Sequence, residues 1–357
     1  KYYYARDIKY ITMNNEEPDI FALYELMFYS RRFEEMVQEL WDKGKIFGEM
    51  HMSLGEEAIN AGVISHLVEG DAIALDHRGT SPLIMRGINP KKLLLELLGH
   101  PNGLCRGNGG HMHLFSKEHL VASSGIVGAS GPAAVGFALA SKYKKRQNIA
   151  IAFFGEGAAN QSMMLSSLNL ASAWNLPVLF VCKDNDVSIT TPSKEVTGGN
   201  LTERAKSFGI NGIELNGLDV EFVWQKCASI IDNMRKTMSP FFIVAKCIHK
   251  EGHLLGDSIL RAQRSTIKES IGRTGPLLKS LTRLKGASIL KRGASIAKIM
   301  SLITKIGDQL KKRNDPLVLA KNKLKKKNEK LKLIESKVNN QIETLIFDVM
   351  KTIEGDE

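Results

Sequence analysis

Two short apolar runs, separated by a segment of helix length, constrain the fold of this chain more than any other feature. The first run, Asn148–Phe154, ends abruptly at a Gly-Glu-Gly turn over residues 155–157, and the second, Val178–Val181, is introduced by Pro177. Short uninterrupted apolar runs are typical of strands that are buried on both faces of a parallel sheet. The segment between them accommodates one helix that ends near residue 175. The pattern therefore predicts a right-handed βαβ unit.

Further periodic segments extend this unit into an α/β domain. Apolar residues recur at helical spacing from Asp19 to Lys43, which predicts a long helix. Short apolar runs at Ala72–Leu75 and Phe241–Cys247 are additional strand candidates. Because strands alternate with helices along the chain, we expect an α/β fold with a mostly parallel sheet and helices on both faces.

Polar side chains follow both strands of the βαβ unit. Glu156 lies in the turn after the first strand, and Asp184-Asn185 follows the second. Parallel neighbours bring their carboxyl ends to one edge of a sheet, so a carboxylate and an amide oxygen should converge there. Hard divalent cations such as Mg²⁺ prefer oxygen ligands and often share them with phosphates. Gly155 and Gly157 would let the backbone approach a diphosphate, which would face the amides of Gly157 and Ala158 at the start of a helix. Taken alone, the motif also fits a tight turn and an Asn-capped loop.

Five segments in a fixed order resemble one family. They are GEMHMSLGEEA (48–58), DHRGTS (76–81), GNGGHMHLF (107–115), SGIVGA (124–129) and GEGAANQ (155–161). Together with the 26 residues between the Gly-Glu-Gly and Asp-Asn motifs, they resemble the α subunit of the thiamine-diphosphate-dependent 2-oxo acid dehydrogenases, the E1 component. This group includes pyruvate, acetoin and branched-chain members. The resemblance covers roughly Asp19 to Asp257, and more loosely Asp315 to the C-terminus. It implies the diphosphate-binding half of the thiamine-diphosphate-binding fold.

The resemblance also implies which residues hold the cofactors, thiamine diphosphate and Mg²⁺. The carboxylate of Glu156, the side-chain oxygen of Asn185 and the carbonyl of Val187 would bind Mg²⁺ against the diphosphate. Most members have Asp where Glu156 stands, although branched-chain enzymes are similar in having Glu. The other positions that match cofactor contacts are His77, Arg78 and His253 at the diphosphate end, Gly125 and Val127 at the aminopyrimidine ring, and Gly155, Gly157 and Ala158 around the diphosphate.

Two histidines match the pair that lines the active site of the family. The resemblance implies that His51 and His253 are catalytic and handle protons and charge near the reacting carbon. His253 belongs to the loop IHKEGHLLGD, residues 248–257, where relatives read like YRxxGHSxSD. His249 replaces an Arg, which leaves open how the loop is ordered. Leu254 replaces a Ser that is phosphorylated in mitochondrial relatives, so control by phosphorylation at that position is excluded.

Other polar residues receive a structural interpretation. His111 and His113 complete no metal-ligand spacing, so we interpret them as structural or interface residues. A hydrogen-bonded structural role is also the alternative for His51 and His253. The carboxylate pairs at 34–35 and 56–57 have helical context, and we expect them at the surface or at an interface.

The resemblance implies an enzyme that decarboxylates a small 2-oxo acid, or cleaves acetoin, and transfers the acyl group to a lipoyl-bearing E2 partner. The thiamine cofactor would supply the carbanion chemistry. In split E1 enzymes a β subunit supplies the carboxylate that activates the cofactor, so an α₂β₂ heterotetramer is expected. Two alternatives stay open. One is a non-oxidative thiamine-diphosphate enzyme of a biosynthetic pathway, an acyloin or sugar ligase; the other is a non-catalytic scaffold.

The positive charge of the chain is concentrated in one segment. The formal net charge is +11, and residues 261–312 hold thirteen Lys or Arg against two acidic residues. We therefore divide the chain into an α/β domain over 1–260, a basic amphipathic insert over 261–312, and a C-terminal helical segment over 313–357 that packs on the domain. The insert fits an acidic partner or a membrane surface, or a solvated loop. It holds no aromatic residue to stack on bases, so we expect no nucleic-acid binding.

The cysteine pattern bears on the compartment. The four cysteines are far apart and form no CxxC pair, which is typical of reduced thiols and not of a zinc site. The uncharged stretches near 121–141 and 157–182 contain glycine, proline or amides, so we interpret them as buried interior segments. We expect a cytoplasmic protein, or an organellar matrix protein if a transit segment was removed.

Overall fold

A parallel sheet forms the centre of the molecule in this computed structural model, which describes residues 17–189, 191–255 and 315–355. The strands are β1 (Ala72–Leu75), β2 (Phe115–Ser116), β3 (Val121–Ser123), β4 (Ala150–Gly155), β5 (Val178–Asp184), β6 (Val187–Ser188), β7 (Thr191–Pro192), β8 (Asn211–Asn216) and β9 (Phe241–Lys246). Seven of them make one sheet in the order β2-β3-β1-β4-β5-β9-β8, and β6 pairs with β7 in a separate hairpin.

The pairing of the strands confirms the predicted fold class. In the seven-stranded sheet only β2 and β3 are antiparallel, and the other neighbours are parallel. β4 and β5 are direct neighbours, with Gly155 opposite Lys183. The predicted βαβ unit is therefore present, and its two loops lie at the same edge of the sheet.

Helices cover both faces of the sheet. They are α1 (Ile20–Asp42), α2 (Glu57–Ile64), α3 (Thr80–Met85), α4 (Pro90–Leu97), α5 (Ser130–Tyr143), α6 (Ser162–Ala173), α7 (Ser193–Val196), α8 (Leu201–Ser207), α9 (Val220–Thr237), α10 (Pro316–Leu324) and α11 (Asn328–Gly355). Side chains of a strand point alternately to its two faces. In β4, Ile151 and Phe153 therefore join the core beneath α1, α2 and α9, whereas Ala152 and Phe154 join the core beneath α5, α6 and α8.

The long N-terminal helix begins directly after a capping residue, Asp19. The side chain of Asp19 accepts hydrogen bonds from the backbone N–H groups of Phe21 and Ala22, which satisfies donors that the first turn leaves without partners. The apolar stripe of α1 is buried, including Leu23, Met27 and Phe33. The predicted helix over Asp19 to Lys43 is therefore confirmed.

Two boundaries at the carboxyl edge differ from the prediction. Strand β5 extends three residues beyond Val181, because buried Lys183 has carboxylate partners there. The helix that we expected to open at Gly157 begins at Ser162 instead. A short 3₁₀ turn, Ala158–Asn160, comes first, and Gln161 is extended between the two helical pieces. Gly157 and Ala158 therefore lie in a tight turn and not in the first turn of an α-helix.

The C-terminal helices pack against the start of the chain. Buried Leu331, Ile334 and Val338 of α11 belong to the same core as α1, and Tyr24 donates a hydrogen bond to Glu335. The domain limits at 260 and 312 stay a prediction, because the basic insert, residues 261–312, lies outside the described residues. Within the described ranges, no helix is both long and apolar enough to cross a membrane.

Candidate active site

Glu156 lies at the carboxyl edge of the sheet, directly after β4. Its side chain is buried, and Oε1 accepts a hydrogen bond from the hydroxyl of Ser188 at 2.9 Å. Burial raises the pKa of Glu156 to about 7; hydrogen bonds from backbone N–H groups and from Ser188 oppose the rise, and the nearby carboxylate of Asp184 adds to it. A cation placed next to such a carboxylate would be favourable, because it would stabilise the charged form that burial disfavours.

Asn185 and Val187 occupy the loop after β5. The side-chain oxygen of Asn185 accepts the backbone N–H of Val187 at 3.4 Å, and its Nδ2 is 2.9 Å from His249 Nδ1. Asp186 between them has a φ of 66°, so the chain turns sharply and the hairpin of β6 and β7 returns toward β4. The turn brings both residues to the edge that carries Glu156, as the spacing predicts.

Only glycine fits at position 157, because the side chain of Ser188 lies directly against its Cα. A Cβ atom at this position would collide with the hydroxyl of Ser188, the same hydroxyl that donates to Glu156. The glycine therefore lets the hairpin after β5 close over the turn after β4. A cavity of about 200 Å³ opens beside this edge and is lined by Glu156, Asp184, Asp186 and Lys246, among others.

Four histidines from different loops form a compact cluster. His51 Nδ1 is 3.1 Å from His111 Nε2, and the ring of His51 lies edge-on to those of His77 and His253, at centroid distances of 4.5 and 4.9 Å. Ring nitrogens of His51, His77 and His253 all lie within 4.8 Å of one another. The structure thus brings together the two predicted catalytic histidines and the predicted phosphate-end histidine.

The imidazoles of His51, His77 and His111 are neutral. Burial lowers the pKa of His51 to about 2, and His77 and Arg78 add to the shift. The pKa of His77 falls to about 3 and that of His111 to about 4, again mainly through burial. Neutral imidazoles offer a ring nitrogen that accepts a proton. His77 Nε2 is buried and has no hydrogen-bond partner among the described residues.

Arg78 is buried beside the cluster and fixes the loop that carries His253. Its guanidinium donates to the carbonyls of Met52 and His253, the latter at 2.7 Å. The same loop is tied to the segment before α2 by backbone hydrogen bonds from Lys250 to Leu54 and from Leu255 to Met50. The loop over the described residues 248–255 is therefore held in place without the arginine of the relatives.

Gly55 shows how closely these two loops pack. It adopts a φ of 105°, and a Cβ atom there would collide with the carbonyl of Ile248. Only glycine adopts such a backbone without strain.

A buried ionic network connects the end of β5 to the segments before α2 and after β1. Lys183 at the end of β5 is 2.8 Å from Glu56 and 3.1 Å from Asp76, and its side chain is only 1% exposed. Burial alone would raise the pKa of Glu56, but Lys183 and a hydrogen bond from His249 lower it to about 2. His249 itself is neutral, because burial and Arg78 lower its pKa to about 4.

The structure corrects the interpretation of the carboxylate pairs. Glu34, Glu56 and Glu57 are buried and bonded within the chain, whereas only Glu35 is partly exposed. Glu34 accepts the backbone N–H of Ser53, and Glu57 is 2.5 Å from Arg31. These partners could not be predicted from the helical pattern, because they come from segments distant in sequence. His111 was likewise missed as a member of the histidine cluster; its GGHMH context offered no spacing signal.

Gly125 and Val127 belong neither to the residues around Glu156 nor to the histidine cluster. They follow β3 in the loop that leads to α5, and Val127 is 51% exposed. A Cβ atom at Gly125 would approach Met112 and His113, in the segment that also carries His111. The structure therefore places them at the same carboxyl edge of the sheet, one strand beyond β1, and their contact with a cofactor ring stays a prediction.

Comparison with known proteins defines the class of this fold and site. A model of the family described as "Dehydrogenase E1 component" matches residues 25–296. The α subunit of acetoin:2,6-dichlorophenolindophenol oxidoreductase from Bacillus subtilis is 36% identical over 238 residues, which are 66% of this chain and 72% of that protein. The pyruvate dehydrogenase E1 α subunit of Rhizobium meliloti is 32% identical over 272 residues, 76% of this chain and 78% of the relative. That of Zymomonas mobilis is 31% identical over 303 residues, 84% of each chain.

This chain belongs to the dehydrogenase E1 component family, as an α subunit of the 2-oxo acid and acetoin dehydrogenase type. The family depends on thiamine diphosphate, and its α subunits pair with a β subunit. The residues present fit this cofactor. Glu156 is a buried carboxylate with a raised pKa, oxygen donors follow the neighbouring strand, and a buried nitrogen of His77 has no partner among the described residues.

Proposed function

We propose that this chain is the α subunit of an E1 enzyme that decarboxylates a small 2-oxo acid, or cleaves acetoin, and passes the acyl group to a lipoyl-bearing E2 partner. The main observation behind the proposal is that Glu156 and Asn185 lie side by side at the carboxyl ends of β4 and β5. The network of His249, Glu56 and Lys183 links Asn185 to Asp76, which directly precedes His77 in the chain. An oxygen-ligand site beside neutral imidazoles suits a metal-held diphosphate next to a reaction that moves protons.

The predicted cofactor contacts divide into three groups. Glu156, Asn185 and the carbonyl of Val187 would hold Mg²⁺. Residues His77, Arg78, His253, Gly155, Gly157 and Ala158 would surround the diphosphate, and Gly125 and Val127 would meet the aminopyrimidine ring. When bound, thiamine diphosphate would supply the carbanion chemistry that decarboxylation of a 2-oxo acid requires.

The protein's own contribution is to handle protons in a buried setting. Burial lowers the pKa of His51 to about 2, so it would accept a proton only when negative charge develops next to it during the reaction. Its Nδ1 lies 3.1 Å from His111 Nε2. His253 is held by Arg78 through its backbone carbonyl, and its imidazole lies edge-on to that of His51 at a centroid distance of 4.9 Å. We propose both as the catalytic residues.

The proposed partners follow from the family and from the charge of the chain. We expect an α₂β₂ heterotetramer whose β subunit completes the active site. The basic insert over 261–312 is proposed to meet an acidic partner or an anionic membrane surface, and no nucleic acid. The described structure contains four free thiols, which supports a reducing compartment, the cytoplasm or an organellar matrix.

A test uses the chain co-purified with its β subunit. With thiamine diphosphate and Mg²⁺ present, release of CO₂ and reduction of dichlorophenolindophenol would be measured for pyruvate, branched-chain 2-oxo acids and acetoin. We expect one of these to reduce the dye, and Glu156→Gln to abolish the reaction. Binding of the cofactor without turnover of any of the three would contradict the proposed substrate class, and absence of cofactor binding would leave only a scaffold.

A non-oxidative thiamine-diphosphate ligase is the second candidate. The departure of the 248–257 loop from the family pattern favours it, because this loop lies against the histidine cluster. Such an enzyme would release CO₂ from a 2-oxo acid and form a new carbon–carbon bond with an aldehyde, without reducing the dye. Product analysis with and without the dye separates the two candidates.

A further inference from the structure

His249 lies between the predicted metal ligand Asn185 and a buried carboxylate. Its Nδ1 is 2.9 Å from Asn185 Nδ2, and its Nε2 is 2.8 Å from Glu56 Oε1. The side chain of His249 is 11% exposed and that of Glu56 is 1% exposed. Water therefore competes little for either hydrogen bond, and each is stronger than at the surface.

The two partners determine the tautomer of the ring. A carboxylate only accepts hydrogen bonds, so Nε2 must carry the proton that Glu56 receives. In a neutral imidazole Nδ1 is then an acceptor, and of the two ends of the Asn185 amide only the NH₂ group donates to it. The amide nitrogen of Asn185 is thus held toward His249, and its oxygen is turned away.

The amide oxygen is turned toward the other predicted ligand. Asn185 Oδ1 accepts the backbone N–H of Val187 at 3.4 Å, so it lies on the side of the residue whose carbonyl is the third predicted metal ligand. On the far side, Glu56 is held by Lys183 at 2.8 Å. The order of contacts is therefore Lys183 to Glu56, Glu56 to His249, and His249 to Asn185.

We propose that His249 is a positioning residue that holds the Asn185 amide with its oxygen toward the divalent metal, and that Glu56 sets the tautomer required for this. The proposal rests on the proposed function, because it takes Asn185 as a metal ligand. Outer partners that orient a metal ligand are worth roughly 10–100-fold in metal affinity. An arginine at this position could not orient the Asn185 amide in this way, because its side chain only donates hydrogen bonds. The histidine can, because Nδ1 of its neutral ring accepts one.

The test is a calorimetric titration of Mg²⁺ into the complex of this chain with its β subunit, at saturating thiamine diphosphate and without substrate. His249→Gln keeps an amide NH₂ for Glu56 but removes the acceptor for Asn185, whereas His249→Asn places an amide oxygen near the position of Nδ1. We expect His249→Gln and His249→Ala to raise the Mg²⁺ dissociation constant roughly 10–100-fold. His249→Asn should restore most of the affinity.

A matched control and a reference variant make the outcome decisive. His66 is also a partly buried histidine, with Nε2 2.9 Å from the carbonyl of Trp224, and His66→Gln should leave Mg²⁺ binding unchanged. If Asn185→Ala weakens Mg²⁺ binding but His249→Ala and His249→Gln do not, the positioning role is wrong and the proposed metal site stands. If Asn185→Ala has no effect, the metal assignment itself fails. Equal losses in His249→Asn and His249→Gln, in complexes with unchanged melting temperature, would also overturn the proposal.

Discussion

Two buried charged regions of the molecule differ in how completely their charges are paired. In the first, Arg31 contacts Glu57 at 2.5 Å and Asp315 at 3.1 Å, and Lys250 contacts Asp315 at 2.7 Å. Two positive and two negative side chains thus balance, from α1, α2, the cap position before α10 and the loop after β9. In the second, buried Glu156 accepts a hydrogen bond from the hydroxyl of Ser188, and its pKa remains raised.

The difference separates structural charges from those prepared for a ligand. A buried charge costs several kcal/mol unless a partner in the protein offsets the loss of water. The Arg31 network finds its partners within the chain, so its role is to join the C-terminal helices to the domain. At Glu156 the cost is met by a proton when no cation is present, which is the behaviour expected of a buried carboxylate that has no ionic partner among the described residues.

The largest expected effect comes from breaking the paired region. Arg31→Met would leave Glu57 and Asp315 buried without their main partner, and we expect a loss of about 3–5 kcal/mol of unfolding free energy. Urea denaturation measures it. Arg32→Met is the matched control, because Arg32 pairs with Glu35 where both side chains are about one-third exposed; its cost should stay below about 1 kcal/mol. Equal losses in the two variants would contradict the comparison.

The second prediction concerns Glu156 and its role in Mg²⁺-dependent cofactor binding. Glu156→Gln should weaken Mg²⁺-dependent cofactor binding by roughly 100-fold, since it removes a charged ligand from the predicted site. The apoprotein should not lose stability at pH 8, because the charged carboxylate of Glu156 is itself unfavourable there. Calorimetry and thermal denaturation, run on the same samples, give both results. A loss of stability comparable to that of Arg31→Met would show that Glu156 is a structural charge.

A third, smaller effect is the pH dependence of metal binding. Because the pKa of Glu156 is raised to about 7, a proton occupies this ligand below neutrality and Mg²⁺ must displace it. We expect the affinity to fall by about tenfold per pH unit below pH 7. The protonation of thiamine diphosphate must be subtracted by measuring Mg²⁺ binding to the free cofactor at each pH. An affinity that is constant between pH 8 and pH 6 after this correction would contradict the raised pKa.

The smallest expected effect concerns the sensitivity to acid that the histidine cluster confers. The folded-state pKa of His111 is about 4, below the unfolded value near 6.5. The stabilising contribution is thus present above pH 6.5 and is lost as the pH falls from 6.5 toward 4. His111→Gln should lower the midpoint of acid unfolding by a few tenths of a pH unit, measured by circular dichroism. A midpoint that rises would mean that the imidazole is charged in the folded state.

The carboxyl edge of the sheet was predictable from the sequence because its geometry is local. The apolar runs define β4 and β5, and parallel pairing then places Glu156 and Asn185 side by side. The five ordered motifs added His51, His77 and His253, which the structure does bring together. These features depend on strand order and on short loops, which sequence patterns encode well.

The partners of the buried polar groups were not predictable in this way. Glu56 reads as a surface carboxylate in a helical context, and it is buried only because Lys183 arrives from a strand more than a hundred residues away. The contact between His249 and Asn185 depends on how two loops pack, which neither loop encodes alone. His111 joins the cluster for the same reason.

The completely buried amine of Lys183 has a consequence for chemical modification. An ammonium group held by two carboxylates, with a pKa raised well above its ordinary value, is neither nucleophilic nor accessible. Acylating reagents and acetyl-transferring enzymes should therefore leave Lys183 untouched in the folded protein, while Lys236, with a side chain 71% exposed, is open to them. In a mass-spectrometric footprint of the native protein, an acylated Lys183 would thus mark molecules that had opened at the carboxyl edge of the sheet.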